Sequence, residues 1–140
     1  MLSKGISLTN SCLMALWLLH IPPSHAQVPP SHAQDPALNA VQSYFSALKG
    51  GDVTSLRRLV AGPYYRQIEV LLEQNSEYPA FLQDHYAQVS FLIYDVVPQP
   101  NAMVIKVQYE FGRNDIQHKL VIVQPDQDGS WKVTQVLDDD

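Results

Sequence analysis

The chain has 140 residues, 9 basic and 14 acidic side chains and a net charge of −5, with 46% hydrophobic and only 16% charged residues. That hydrophobic share fills one domain core and argues against wholesale disorder. A mildly acidic chain without a Lys/Arg run is a poor nucleic-acid binder.

Lys4 puts a positive charge ahead of the apolar run Cys12-Leu13-Met14-Ala15-Leu16-Trp17-Leu18-Leu19-His20-Ile21. The run is too short to span a bilayer, Pro22-Pro23 ends it, and Ser24-His25-Ala26 places small residues where a signal peptidase cuts. Residues 1–26 therefore read as a signal peptide, and the chain as exported, either periplasmic or secreted. A heptapeptide is then duplicated, Pro-Pro-Ser-His-Ala-Gln-Val from Pro22 and Pro-Pro-Ser-His-Ala-Gln-Asp from Pro29. Residues 27–35 form a Pro-rich spacer with a second cleavage site after Ala33. One His per repeat, His25 and His32, makes a poor metal site. Cys12 is the single cysteine and leaves with the signal, so no disulfide is expected. Cleavage at Ala26 removes Lys4 alone, leaving 8 basic against 14 acidic side chains, a balance of −6. No second long apolar run follows, so no membrane contact is expected after cleavage.

The domain is expected over residues 36–138. Asp35 caps a first helix, Pro36 suits its first turn, and Leu38, Val41, Phe45 and Leu48 share one face until Gly50-Gly51. Asp52 caps a shorter helix carrying Val53, Leu56, Leu59 and Val60. Gly62-Pro63 breaks it, and Tyr65, Ile68, Leu71 and Leu72 pattern a third helix to about Gln74. Tyr78 to Tyr86 reads as a further turn or two of helix.

From Gln88 the apolar period becomes alternating, which predicts strands over 88–97, 102–111, 116–124 and 131–138. The separators 98–101, 112–115 and 125–130 are rich in Pro, Gly, Asn and Asp. Short connections imply an antiparallel meander, and helices followed by strands imply an α+β fold with the helices on one sheet face. Taking each separator whole as a loop sets Val97 opposite Ala102, Phe111 opposite Ile116 and Gln124 opposite Trp131. The helix-covered face then carries Ser90, Leu92, Tyr94, Val96, Ile105, Val107, Tyr109, His118, Leu120, Ile122, Val133, Gln135 and Leu137. The open face carries Lys106, Gln108, Glu110, Gln117 and Lys119. Phe91, Ile93, Val104, Val121 and Val123 also fall there, an apolar strip suited to a homodimer contact.

The stretch Val41-Gln42-Ser43-Tyr44-Phe45-Ser46-Ala47-Leu48-Lys49-Gly50-Gly51-Asp52-Val53-Thr54-Ser55-Leu56 resembles the opening of the nuclear transport factor two-like (cystatin-like cone) superfamily. Gly129-Ser130-Trp131-Lys132-Val133 is similar to its closing strand. The resemblance implies a cone-shaped α+β fold and is closest to small exported members without an assigned activity. The superfamily's familiar enzymes carry a strand between the second and third helices; none is legible here.

Inside such a cone, Tyr44, Ser90, Tyr94, Tyr109, His118 and Gln135 would be the polar groups, a set suited to a small apolar ligand. Tyr109 opposite His118 could pass a proton or hold a carbonyl; the plainer reading is that the two satisfy each other. Steroid-isomerase chemistry needs a carboxylate inside the cone, and in this register Asp95 and Glu110 point out. No cofactor or metal is expected, since His85 and His118 lie far apart in sequence and Asp138-Asp139-Asp140 reads as a solvated tail. The reading is an exported, non-catalytic domain that binds a small apolar ligand or a protein partner. An isomerase- or dehydratase-like enzyme and a structural dimerisation module are the alternatives.

Overall fold

Asp35 is the first residue that the computed structural model describes, and the description runs from there to Asp140. The expected signal peptide and all but the last residue of the spacer lie outside the described residues. Asp35 accepts a hydrogen bond from Ala37 N at 2.9 Å and so caps α1 (Pro36–Gly50). Leu38, Val41, Tyr44, Phe45 and Leu48 of α1 are buried. Gly51 ends the helix at φ +60°, a left-handed turn, and a Cβ there would lie 2.4 Å from the Pro79 carbonyl oxygen. Glycine thus lets the end of α1 lie directly against the fourth helix.

Asp52 caps α2 (Val53–Leu59) through Ser55 N at 3.0 Å and Ser55 Oγ at 2.6 Å. After α2 the chain extends at Val60, which bridges Val133 in parallel, and Ala61 N donates to Val133 O at 3.0 Å. The strand absent from the sequence pattern is thus present as a single bridging residue. α3 (Gly62–Gln74) buries Ile68, with Tyr64 and Leu72 packed beside it on the core. Tyr65 and Leu71, expected on that face, are instead exposed. An i, i+4, i+8 stripe displaced the i+3 alternative, which was equally open to Ile68. α4 (Tyr78–Tyr86) buries Leu82.

The four strands β1 (Ser90–Gln99), β2 (Ala102–Gly112), β3 (Asp115–Pro125) and β4 (Trp131–Asp138) form an antiparallel sheet in sequence order, with the helices on one face. The meander and the α+β class are as the sequence implied. The register differs in a systematic way. The first two hairpins close as Gln99↔Ala102 and Gly112↔Asp115, tighter than the separators suggested, and each strand pair contains one bulge. In β2–β3 the bulge at Phe111 makes Glu110 face Ile116 and Tyr109 face Gln117. One extra residue inverts every following side chain. Val121 and Val123 therefore enter the core, whereas Leu120, Ile122 and His118 turn to the open face. The bulge at Tyr94 leaves Val96 inward but turns Phe91 and Ile93 in and Ser90, Leu92 and Tyr94 out. Beyond the irregularity at Thr134, Val136 packs on the core while Gln135 and Leu137 are exposed.

The core brings Leu38, Val41 and Phe45 of α1 together with Ile105, Val107 and Tyr109 of β2, Val121 and Val123 of β3 and Val133 of β4. No helix among the described residues is long and apolar enough to cross a membrane.

Candidate functional site

The cone interior is aromatic. Phe45 stacks on Phe91 with centroids 4.2 Å apart and planes 2° off parallel, and Tyr109 meets Phe45 edge-on at 5.8 Å and Phe91 at 4.8 Å. Tyr44 of α1 and Tyr64 of α3 share a hydrogen bond between their hydroxyls at 2.5 Å. Burial, reinforced by Tyr64, holds the Tyr44 phenol well above its ordinary pKa. Burial pushes Tyr64 up to about 12, partly offset by its bond to Tyr44, and pushes Tyr109 up further. Tyr109 Oη is buried without a hydrogen-bond partner among the described residues. Tyr86 and Tyr78 of α4 are raised by burial as well, so five phenols from four elements stay protonated together. No charged side chain is buried among the described residues. Asp95 is exposed, and Glu110 accepts from Gln108 Nε2 at 2.7 Å on the open face.

Of the six side chains expected in the cone, Tyr44 and Tyr109 are there. Ser90, Tyr94, His118 and Gln135 lie on the opposite, open face, because the bulges invert their strands. The expected pairing of Tyr109 with His118 is not formed: Tyr109 faces Gln117, and His118 faces Gln108. Tyr64, the hydrogen-bond partner of Tyr44, escaped the sequence reading because its neighbour Tyr65 fitted the assumed stripe.

The open face has its own constellation. Tyr94 Oη donates to Asp139 Oδ2 at 3.0 Å, Lys106 Nζ lies 3.7 Å from the same oxygen, and the His118 ring stands edge-on to Tyr94 at 5.7 Å. The acidic tail is therefore partly tied down: Asp139 N donates to His118 O at 3.0 Å, and Asp138 pairs with Lys119, which with Gln117 points to the helix side of the sheet and not to the open face expected for both. Around this polar row the face is apolar, with Leu92 55% exposed, Ile116 48%, Tyr94 46% and Leu137 46%. Of the five residues expected to form an open apolar strip, Val104 alone stays on this face, while Phe91, Ile93, Val121 and Val123 turn to the core and Leu92, Ile116 and Leu137 are exposed instead. Among the described residues no group of three His, Cys, Asp or Glu side chains could hold a metal ion.

No protein-family model matches the chain, and no curated protein matches it. Among solved structures, it is similar to a Shewanella frigidimarina NCIMB 400 protein provisionally assigned as a ketosteroid isomerase. The match has a TM-score of 0.54 at 13% identity and covers 75% of this chain and 95% of the other. At that identity the likeness speaks to the fold. Four helices on one face of a four-stranded antiparallel meander, superimposable on that neighbour, give this chain the nuclear transport factor two-like, cystatin-like cone fold.

Proposed function

We propose that this chain is an exported, non-catalytic domain whose open sheet face docks a protein, and that the protein is a second copy of the chain. The observation that carries the reading is the exposure of Leu92, Tyr94, Ile116 and Leu137 on one sheet face. Several large apolar side chains exposed on one sheet face, here flanking a polar row, are a mark of an interaction surface. A cone filled by its own rings, with no buried carboxylate among the described residues, supports binding through the sheet rather than catalysis within. Export rests on Lys4, the short apolar run and the two cleavage sites.

A second reading has one observation in its favour. The unpartnered Tyr109 hydroxyl would donate to a small apolar ligand bearing a single carbonyl, if the rings around it parted.

Native mass spectrometry of protein purified from its own source separates these readings in one measurement. A homodimer whose subunits begin at Gln27 or Gln34 is expected. Leu92→Glu should abolish the dimer while leaving the circular dichroism spectrum unchanged, because Leu92 lies outside the core. Monomers at every concentration would sink the docking proposal, and a retained small molecule on such monomers would favour the second reading. Intact Met1 in the mature pool would sink export.

A further inference from the structure

The duplicated heptapeptide has a property that docking through the sheet leaves unused. Each copy carries Ala-Gln at the same place, Ala26-Gln27 and Ala33-Gln34, so either cleavage site exposes a glutamine as the new first residue. An N-terminal glutamine holds its α-amine within reach of its own side-chain amide. Closing the five-membered lactam is intramolecular, and such reactions gain greatly over bimolecular ones. An α-amine ionises near pH ~8, so a neutral, nucleophilic fraction is present at neutral pH.

The start of α1 is sensitive to what happens at that first residue. Asp35 caps the helix by accepting from Ala37 N at 2.9 Å, and its carbonyl accepts from Asn39 N at 2.9 Å. The first turn of α1 holds no acidic side chain, so on this helix Asp35 alone opposes the positive end of the dipole. Gln34 is covalently next to Asp35, one Cα step of ~3.8 Å away. An ammonium group that close would repel the helix dipole and compete with Ala37 N for the capping carboxylate. A lactam carries no charge and removes both effects.

We infer that the exported chain carries an N-terminal pyroglutamate, made from Gln34 or, after the earlier cleavage, from Gln27, an inference that rests on the export reading above. The α-nitrogen attacks the side-chain Cδ carbonyl, the N–Cδ bond forms and the Cδ–Nε2 bond breaks. Nε2 leaves as ammonia with a proton from the attacking amine, and nothing is oxidised or reduced. The product has no free amine, so its chain end is closed to aminopeptidases that need one. From Gln34 the ring also steadies α1, the helix that brings Tyr44 and Phe45 to the core.

Intact mass and stepwise N-terminal degradation of protein purified from its own source test this. The expected mass is that of the chain from Gln27 or Gln34 less one ammonia, with no residue released until pyroglutamyl peptidase is applied. Val28 or Asp35 should then be the first residue read. Gln27→Ser combined with Gln34→Ser should leave an open chain end; one still blocked would overturn the inference. A cleaved chain with an uncyclised glutamine, or one beginning elsewhere, would overturn it while leaving export standing. Intact Met1 would overturn export and the inference with it. For the chain beginning at Gln34, the cyclised form should melt about 2–5 °C above the freshly exposed, uncyclised form at low salt. Equal melting would overturn the part assigned to α1.

Discussion

The domain is expected to unfold cooperatively in alkali, at about pH 11–12, as its buried phenols are forced to ionise. Tyr44, Tyr64 and Tyr109 all have folded pKa values raised above the ordinary phenol value, with Tyr64 at about 12. Below pH ~10 both folded and unfolded chains keep these protons, so their contribution to stability is fully present. Above it the unfolded chain releases protons that the folded chain retains, and stability falls as pH rises towards the folded values. Each such group contributes a slope of ~1.4 kcal/mol per pH unit, so three give ~4 kcal/mol per unit. A domain at the lower end of the usual range of about 5–15 kcal/mol is exhausted in little more than one unit. Phenolate absorbance and far-ultraviolet circular dichroism, followed together, should change in a single step. Three phenols ionising at the ordinary value while the sheet stays intact would show that water reaches the cone. Tyr64→Phe should shallow the slope by about a third, since it removes one ionising group.

Phe45→Ala should be the most damaging single truncation in the core. Phe45 is 7% exposed, stacks face to face on Phe91 and meets both Tyr44 and Tyr109. Removing the ring takes away its burial and leaves a cavity between α1 and the sheet, a combined loss of about 3–5 kcal/mol. Because the neighbours are rings held by other rings, they cannot collapse far into the space. Urea unfolding should show the midpoint falling with the slope unchanged. A loss below about 1 kcal/mol, the size of a surface change, would mean that α1 presents a different face to the sheet.

Which parts of this molecule could be read from its residues follows from how far each signal reaches. Asp35, Pro36 and Gly51 mark helix ends through bonds to near neighbours, so α1 was legible to the residue. The strand order was legible because each connection is short. The faces of the strands were not. Val96 and Val133, close to their hairpin loops, point as the pattern implies, and the assignment fails for Ser90, Leu92 and Tyr94 beyond the first bulge and for Gln135 and Leu137 beyond the last. Alternation in β1 and β3 is apolar on both phases: Leu92 alternates with Phe91 and Ile93, and Leu120 and Ile122 with Val121 and Val123. With both phases apolar, hydrophobicity cannot choose a face, and the bulge chooses it. The candidate site depended on that choice, which is why, of the six residues expected inside, only Tyr44, on a helix, and Tyr109, on the unambiguous strand β2, are found there.

The pairing of Val60 with Val133, and the packing of Leu38 and Val41 into one core with Val133, join the two ends of the domain. That arrangement orders events in time. The sheet can form from neighbours and α1 can already meet α4, β1 and β2, but the residue after α2 and the part of α1 that packs on Val133 wait for β4, some 70 to 95 residues downstream. A chain emerging in order from the ribosome therefore carries part of the apolar face of α1 uncovered until β4 appears, since domains close as units. Losing the last strand, by truncation or by a frameshift after Pro125, would leave Val60 unpaired and part of α1 uncovered, a fragment prone to aggregation or proteolysis.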